Sequence, residues 1–396
     1  MNIRSPEFRT GLFYATFFMT PGAAATFLPI WLSEQGIDAG QIGIINAMPV
    51  LVMLAVNVFV GRIADRAADW RQVIVAGALI AAVTPLGLHF VSGFWGVLVV
   101  WTLAMVPVFA INPVADAAAV RMTRRRGSDF GTLRAWGTLG FMAVNAVTGL
   151  VVAGFGSAAF VPLIVVLSLM RGGASLQLPR FRAPLTDAPV PPARSILVAG
   201  RVRELFRPWF VLPLVGNAII LATHLLLNAF AALVWRDAGI SASIIGPLIA
   251  LSAAAEAVMM FTFRRLSKRF SARHLILISA LASAVRWAVM AFNPPIAVLV
   301  VLQLSHSVTF AMGYLGGVNF IANWTSEDIA AEAQSVLVVL QQALTVAALA
   351  GFGYLVAIMG ARAFMVSAGF SLLAGGAVWI SLRLMTAGRE RDEESA

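Results

Sequence analysis

Long apolar stretches, broken by short polar clusters, run the length of the chain. They predict twelve helices, at about 8–32, 41–61, 72–91, 94–120, 131–154, 158–178, 208–235, 242–263, 274–292, 295–318, 331–358 and 361–386. Each approaches the ~20 residues that cross a bilayer's hydrocarbon core. The polar clusters sort by charge. Segment 62–71 carries Arg62, Arg66 and Arg71; segment 121–130 carries Arg121, Arg124, Arg125 and Arg126; segment 264–273 carries Arg264, Arg265, Lys268, Arg269 and Arg273. The alternate segments 33–40, 92–93, 155–157 and 293–294 hold no Lys or Arg, and Arg236 and Arg362 are the exceptions on that side. The positive-inside bias therefore places the basic clusters and both termini in the cytoplasm, with the chain threaded through a bacterial-type inner (plasma) membrane.

The longest connection, 179–207, mixes five prolines with Arg180, Arg182, Arg194, Arg201, Arg203 and Arg207. It reads as a solvated linker lying against anionic headgroups, and it divides the chain into a six-helix bundle at 1–178, a second at 208–386 and a tail at 387–396. An internal repeat supports the division: Gly36-Ile37-Asp38-Ala39-Gly40-Gln41-Ile42-Gly43 returns as Gly239-Ile240-Ser241-Ala242-Ser243-Ile244-Ile245-Gly246, an offset of 203 that also superposes two basic clusters. The expected fold is an all-α membrane protein of twelve transmembrane helices in two six-helix pseudo-repeats. Parallel repeats of this kind hold a solute between them near the midplane.

Composition narrows the function. Of 396 residues 60% are hydrophobic and 12% charged, half the ~25% charged of soluble domains, so no sizeable soluble domain fits beside the spans. The net charge of +10, with Lys268 the single lysine, reflects cytoplasmic loops and not a nucleic-acid partner. Cysteine is absent, which removes disulfides and thiol chemistry. The first span follows Met1–Arg9 without a small-residue cleavage site, so it is read as retained. No nucleophile triad, Walker loop or zinc spacing is present; an enzyme, a cofactor and a bound metal are not expected. The acidic run Thr325-Ser326-Glu327-Asp328 with Glu332 suits a helix N-terminus.

Ionisable residues inside spans are costly, so each marks a candidate site. Asp116 stands five residues before Arg121, and Arg134 lies in the first turns of the next helix; together they can pair across the cavity and bind a polar solute, though Arg134 can also simply snorkel to the interface. Glu256 lies eight residues from Arg264, roughly 12 Å deep at ~1.5 Å per residue. Arg286 and His306 reach similar depth. A buried ion pair that fixes packing and a proton relay are both compatible with these three. Phe141, Phe27 and Trp235 are candidate walls for a ring-bearing solute.

The chain resembles the major facilitator superfamily, and within it the group of proton symporters around lactose permease and phenylpropionate permease. Gly61-Arg62-Ile63-Ala64-Asp65-Arg66 with Arg71 is similar to the superfamily's motif between helices 2 and 3, which implies a cytoplasmic gate at Asp65 and Arg66. Asp116, Arg134 and Phe141 match in spacing a sugar-binding Glu, Arg and Trp of lactose permease. Arg286-Trp287 and His306 resemble the group's proton-coupling Arg and His, while Thr309 stands where its sugar symporters carry the proton-bearing carboxylate, which leaves Glu256 for that role. The resemblance implies proton-coupled symport of a small organic solute, acting as a monomer. An aromatic monocarboxylate of the phenylpropionate type is expected first; a sugar or nucleoside symporter, then a facilitator without proton coupling, are the alternatives.

Overall fold

A computed structural model describes residues 3–128, 130–181, 207–324 and 327–394, with the backbone alone described at 57–62, 64–66, 124, 264, 322, 327–336 and 385–394. The helices are α1 (Pro6–Glu34), α2 (Ala39–Arg66), α3 (Trp70–Val83, prolonged by a 3₁₀ turn Thr84–His89), α4 (Gly93–Arg126), α5 (Phe130–Phe155) and α6 (Phe160–Leu176). Then follow α7 (Pro208–Asp237), α8 (Ala242–Leu266), α9 (Ala272–Met290), α10, α11 (Glu327–Met359) and α12 (Phe364–Glu394). In α10 two pieces, Ile296–Leu304 and Met312–Trp324, are joined through a π-helical turn, Ser307–Ala311. Among the described residues eleven segments are long and apolar enough to cross a membrane, and the 48-residue one, Leu337–Leu384, contains α11 and α12 parted at Gly360–Ala363. Twelve crossings result.

The helix ends follow local chemistry. The Ser5 hydroxyl caps α1 by accepting from the Phe8 amide, with Pro6 at the first helical position, where its missing N–H costs nothing. Asp38 and Gln41 form a reciprocal capping box on α2. The basic clusters, expected in loops, are mostly helical: α2 continues to Arg66 and α4 to Arg126, where Gly127 (φ 66°) ends it. Guanidinium groups favour helix C-termini and reach headgroups from there, so charge marks the face without ending the helix.

The start of the linker also departs from the expectation of a solvated segment. Phe181 is buried, and its amide donates to both Asp69 carboxylate oxygens at 3.1 and 3.2 Å. Arg71 donates to the Leu176 and Leu178 carbonyls, each at 2.7 Å, and Arg125 donates to the Phe181 carbonyl. Residues 182–206 lie outside the described residues.

The internal repeat encodes two features at once. Gly36 (φ 77°) and Gly239 (φ 87°) take the left-handed conformation that closes α1 and α7, with Ile37 N–H donating to Leu32 O and Ile240 N–H to Trp235 O at 3.1 and 2.9 Å, the Schellman pattern. The last glycines of the repeat permit backbone contact. A methyl group on Gly43 would sit 2.4 Å from Leu349 O, and one on Gly246 2.2 Å from Asn145 O. The partner helices reciprocate, Gly353 against Ala39 O at 2.4 Å and Gly149 against Ala242 O at 2.6 Å. Thus α2 crosses α11, and α5 crosses α8, at their ends remote from the basic clusters.

Contacts divide the described chain into two compact units, one within 1–188, 228–253 and 349–357, the other within 189–227, 254–348 and 358–396. The first unit therefore takes in those crossings. It also explains the exceptional Arg236, which donates to Ile30 O and Ser33 Oγ at 3.2 and 3.1 Å and pairs with Glu34 at 3.4 Å, gripping the C-terminal turn of α1. Arg171, fully buried in α6, donates to Ala81 O at 2.7 Å. That carbonyl would ordinarily take the amide of residue 85, which is Pro85 and has none.

Candidate functional site

Within the first unit, α1 meets α5 at glycines: a methyl on Gly140 would lie 2.2 Å from Ala15 O, and one on Gly22 2.9 Å from the Phe141 ring. This approach brings Tyr14 and Phe18 of α1 to Asp116 on α4 and Arg134 on α5. The Tyr14 hydroxyl donates to Asp116 Oδ1 at 2.7 Å. Arg134 instead lies over the Phe18 ring, its Cζ 4.0 Å from the centroid, and 5.9 Å from the Tyr14 ring. Among the described residues it makes no hydrogen bond or ion pair. The direct Asp116–Arg134 pair expected from spacing is thus not formed, because Tyr14 satisfies the carboxylate and the aromatic shelf holds the guanidinium. Phe141 is half-buried, and Phe27 and Trp235 are fully buried in this conformation.

The second unit holds the other cluster. On α9, Ser279, Ser283 and Arg286 fall at i, i+4 and i+7, one helical face; on α10, Gln303, His306 and Thr309 stand at three-residue intervals around the π turn. Arg286 Nη1 donates to His306 Nδ1 and to Thr309 Oγ1, both at 2.9 Å, and Nη2 donates to Gln303 Oε1 at 2.6 Å. The Ser279 hydroxyl donates to the Thr309 carbonyl at 2.6 Å, and that of Ser283 lies 3.3 Å from it, so α9 fastens the π turn by its backbone. His224 on α7 completes the cluster, with Nδ1 2.7 Å from Ile220 O and Nε2 2.9 Å from Thr309 Oγ1.

Donor and acceptor roles fix the protons. A guanidinium only donates, so His306 Nδ1 carries the lone pair and Nε2 the hydrogen. That Nε2 lies 3.8 Å from Glu256 Oε2. The Ile220 carbonyl only accepts, so His224 carries a hydrogen on Nδ1, and as a neutral ring it accepts at Nε2 from the Thr309 hydroxyl. A polarised chain runs Arg286, Thr309, His224, Ile220 O. His306, whose Nδ1 accepts from Arg286, stands beside this chain as a neutral ring.

Residues 8–367 match the MFS_1 like family. The chain belongs to the major facilitator superfamily. It is 29% identical over 318 residues to a probable 3-phenylpropionic acid transporter of Escherichia coli (strain K12), covering 78% of this chain and 80% of that one. Similarity to the maltose permease of Geobacillus stearothermophilus is 30% over 293 residues, 72% of this chain and 71% of the permease. The crystal structure of the nucleoside transporter NupG superposes with a TM-score of 0.82 at 18% identity, covering 96% of this chain and 99% of that one; it shares the fold.

As a major facilitator the protein is a secondary transporter of a small molecule and not an enzyme. Sequence spacing brought Arg286, His306 and Glu256 together, but it missed Tyr14 as the partner of Asp116 and the central place of Thr309. Buried tyrosine was the available signal, since the chain has only three tyrosines and a phenol inside a span needs an acceptor. The side chains of Asp65 and Arg66 lie outside the described residues.

Proposed function

We propose that this transporter carries a small organic carboxylate, an aromatic monocarboxylate of the phenylpropionate type, together with a proton by alternating access. The supporting observation is the state of the two charged groups in the first unit. The Asp116 carboxylate has a donor of its own in Tyr14, whereas the Arg134 guanidinium, backed by Phe18, keeps its donors for a solute. A guanidinium edge matches a carboxylate bidentately, and a ring attached to that carboxylate can rest on the aromatic shelf. A sugar would call instead on the acceptor capacity of Asp116.

Glu256 is proposed as the proton carrier. With Arg286 donating to His306 Nδ1, this imidazole cannot be protonated there without breaking that bond, while Glu256 faces its Nε2–H and exchanges a proton as its surroundings change. Arg286 and His306 then orient and tune Glu256, Asp65 and Arg66 act at the cytoplasmic gate, and the monomer suffices. The basic clusters and both termini face the cytoplasm of a bacterial-type cell.

Uptake of 3-phenylpropionate into proteoliposomes, with an imposed pH gradient, tests the reading. Arg134→Gln should raise the half-saturating concentration ~10- to 150-fold, the equivalent of one charged hydrogen-bond contact of ~1.5–3 kcal/mol. Glu256→Gln should lose uphill accumulation and retain exchange between equal pools. Uptake of disaccharides or nucleosides with no response to aromatic acids would overturn the carboxylate assignment, and accumulation indifferent to a protonophore would overturn symport.

A further inference from the structure

Among the described residues, the buried face between α9 and α10 holds side-chain hydrogen-bond donors left without an acceptor. Arg286 Nε, Gln303 Nε2 and Trp287 Nε1 are all buried without a partner. They are neighbours: Arg286 Nη2 is bonded to Gln303 Oε1, and the Arg286 Cζ lies 5.0 Å from the Trp287 ring centroid. The three side chains are each at most 1% exposed. Among the described residues, the side-chain acceptors bonded within this cluster are already engaged: Gln303 Oε1, His306 Nδ1 and Thr309 Oγ1 by Arg286, and His224 Nε2 by Thr309. Turning the Gln303 amide would set its nitrogen against Arg286 Nη2 and worsen the imbalance.

Charge follows the same sign. The Arg286 guanidinium is permanently ionised, and every side chain it bonds to here, Gln303, His306 and Thr309, is neutral. The carboxylate of Glu256 lies beyond His306, towards Nε2. Water does not remove such an imbalance, because each molecule brings as many donors as acceptors. A compact anion brings acceptors alone and compensates the buried cation, whose isolation would cost several kcal/mol.

We propose that Arg286, Gln303 and Trp287 form a binding site for a compact monovalent anion, supplied either as a free halide or as the carboxylate end of a solute. The site is separate from Arg134 and does not depend on the solute assigned there. It makes anion occupancy part of the coupling cluster, since the anion shares Arg286 with His306 and Thr309.

The experiment is a thermal-stability titration of the purified chain in sulfate buffer, whose anion is divalent and not compact, at constant ionic strength, adding chloride, bromide or 3-phenylpropionate. A free-anion site predicts a saturable rise in melting midpoint of about 2 °C or more with chloride and bromide. Gln303→Glu places a fixed carboxylate beside Arg286, so it should melt higher than the wild type in sulfate and lose the halide response. Gln303→Met, which removes the amide at similar volume, serves if the glutamate variant is not monodisperse; it should also lose the response. No halide effect, but a 3-phenylpropionate shift that survives Arg134→Gln and vanishes in Gln303→Glu, identifies the solute's carboxylate as the anion. The inference is overturned if neither ligand shifts the midpoint or if the shifts persist in the Gln303 variants. A shift lost in Arg134→Gln and kept in Gln303→Glu would overturn it while leaving the proposed function standing.

Discussion

The crossing of α5 and α8 provides a direct test of access from the face remote from the basic clusters. A methyl on Gly246 would lie 2.2 Å from Asn145 O and 3.3 Å or less from atoms of two α5 residues, whereas ordinary contact begins at 3.4 Å. Restoring ordinary contact requires α5 and α8 to separate locally by about 3.4 − 2.2 = 1.2 Å. The carbonyl that must yield is backbone and cannot rotate away. Overpacking of this kind costs ~1–3 kcal/mol, and if the state with the crossing closed bears all of it, that state falls ~5- to 150-fold relative to one with the crossing open. The chain has no cysteine, so Thr148→Cys, at a buried α5 position beside Gly149, introduces a sole thiol of nearly unchanged size. Its reaction with a membrane-impermeant maleimide added to intact cells should be slow with Gly246, faster with Gly246→Ala and at least ~5-fold faster with Gly246→Val. Transport should fall in the same order. An unchanged labelling rate in a monodisperse Gly246→Val protein would show that this crossing does not control access.

Arg171→Met should lower stability by ~1–3 kcal/mol by leaving Ala81 O without a donor, and the loss should shrink in a Pro85→Ala background, where an amide returns; equal losses in the two backgrounds would refute the pairing. Thr309→Val should lower the melting midpoint by several degrees, since it leaves an Arg286 N–H and His224 Nε2 unmatched at ~1–3 kcal/mol each, while Thr309→Ser should restore it; equal midpoints for the valine and serine variants would refute the chain of bonds. If the cargo is one carboxylate with one proton, the translocated charge is zero: a pH gradient should drive accumulation, and a potassium–valinomycin potential should leave it unchanged. A response to that potential would exclude this stoichiometry.

The sequence revealed the spans because the bilayer demands some twenty apolar residues in succession, a signal that no pairwise contact can disguise. It also revealed the repeat, yet the meaning of Gly43 and Gly246 required the partner backbones, which come from 349 and 145, far along the chain. Helix ends were less legible, as at Arg66 and Arg126, because arginine is compatible with both a helix terminus and a loop. Depth along a helix places Asp116 and Arg134 at one level, but rotation about the helix axis decides which neighbour each meets. There Tyr14 and Phe18 intervene. The π turn of α10 was invisible, since an extra residue in one turn leaves apolar composition unchanged.

Thr309 shows how a residue read first as a missing acid acquires its own logic. A carboxylate at this position would only accept, taking hydrogen from Arg286 and obliging His224 to donate from Nε2. A neutral His224 would then turn its Nδ1 lone pair towards Ile220 O, now 2.7 Å away, where two acceptors repel; a protonated one would place a second cation beside buried Arg286. A hydroxyl accepts from Arg286 and donates to His224 in the same arrangement. Threonine and His224 therefore specify one another: an acid at 309 would keep this pattern only while protonated, its O–H donating to His224 Nε2, and its ionised form would require a change at His224.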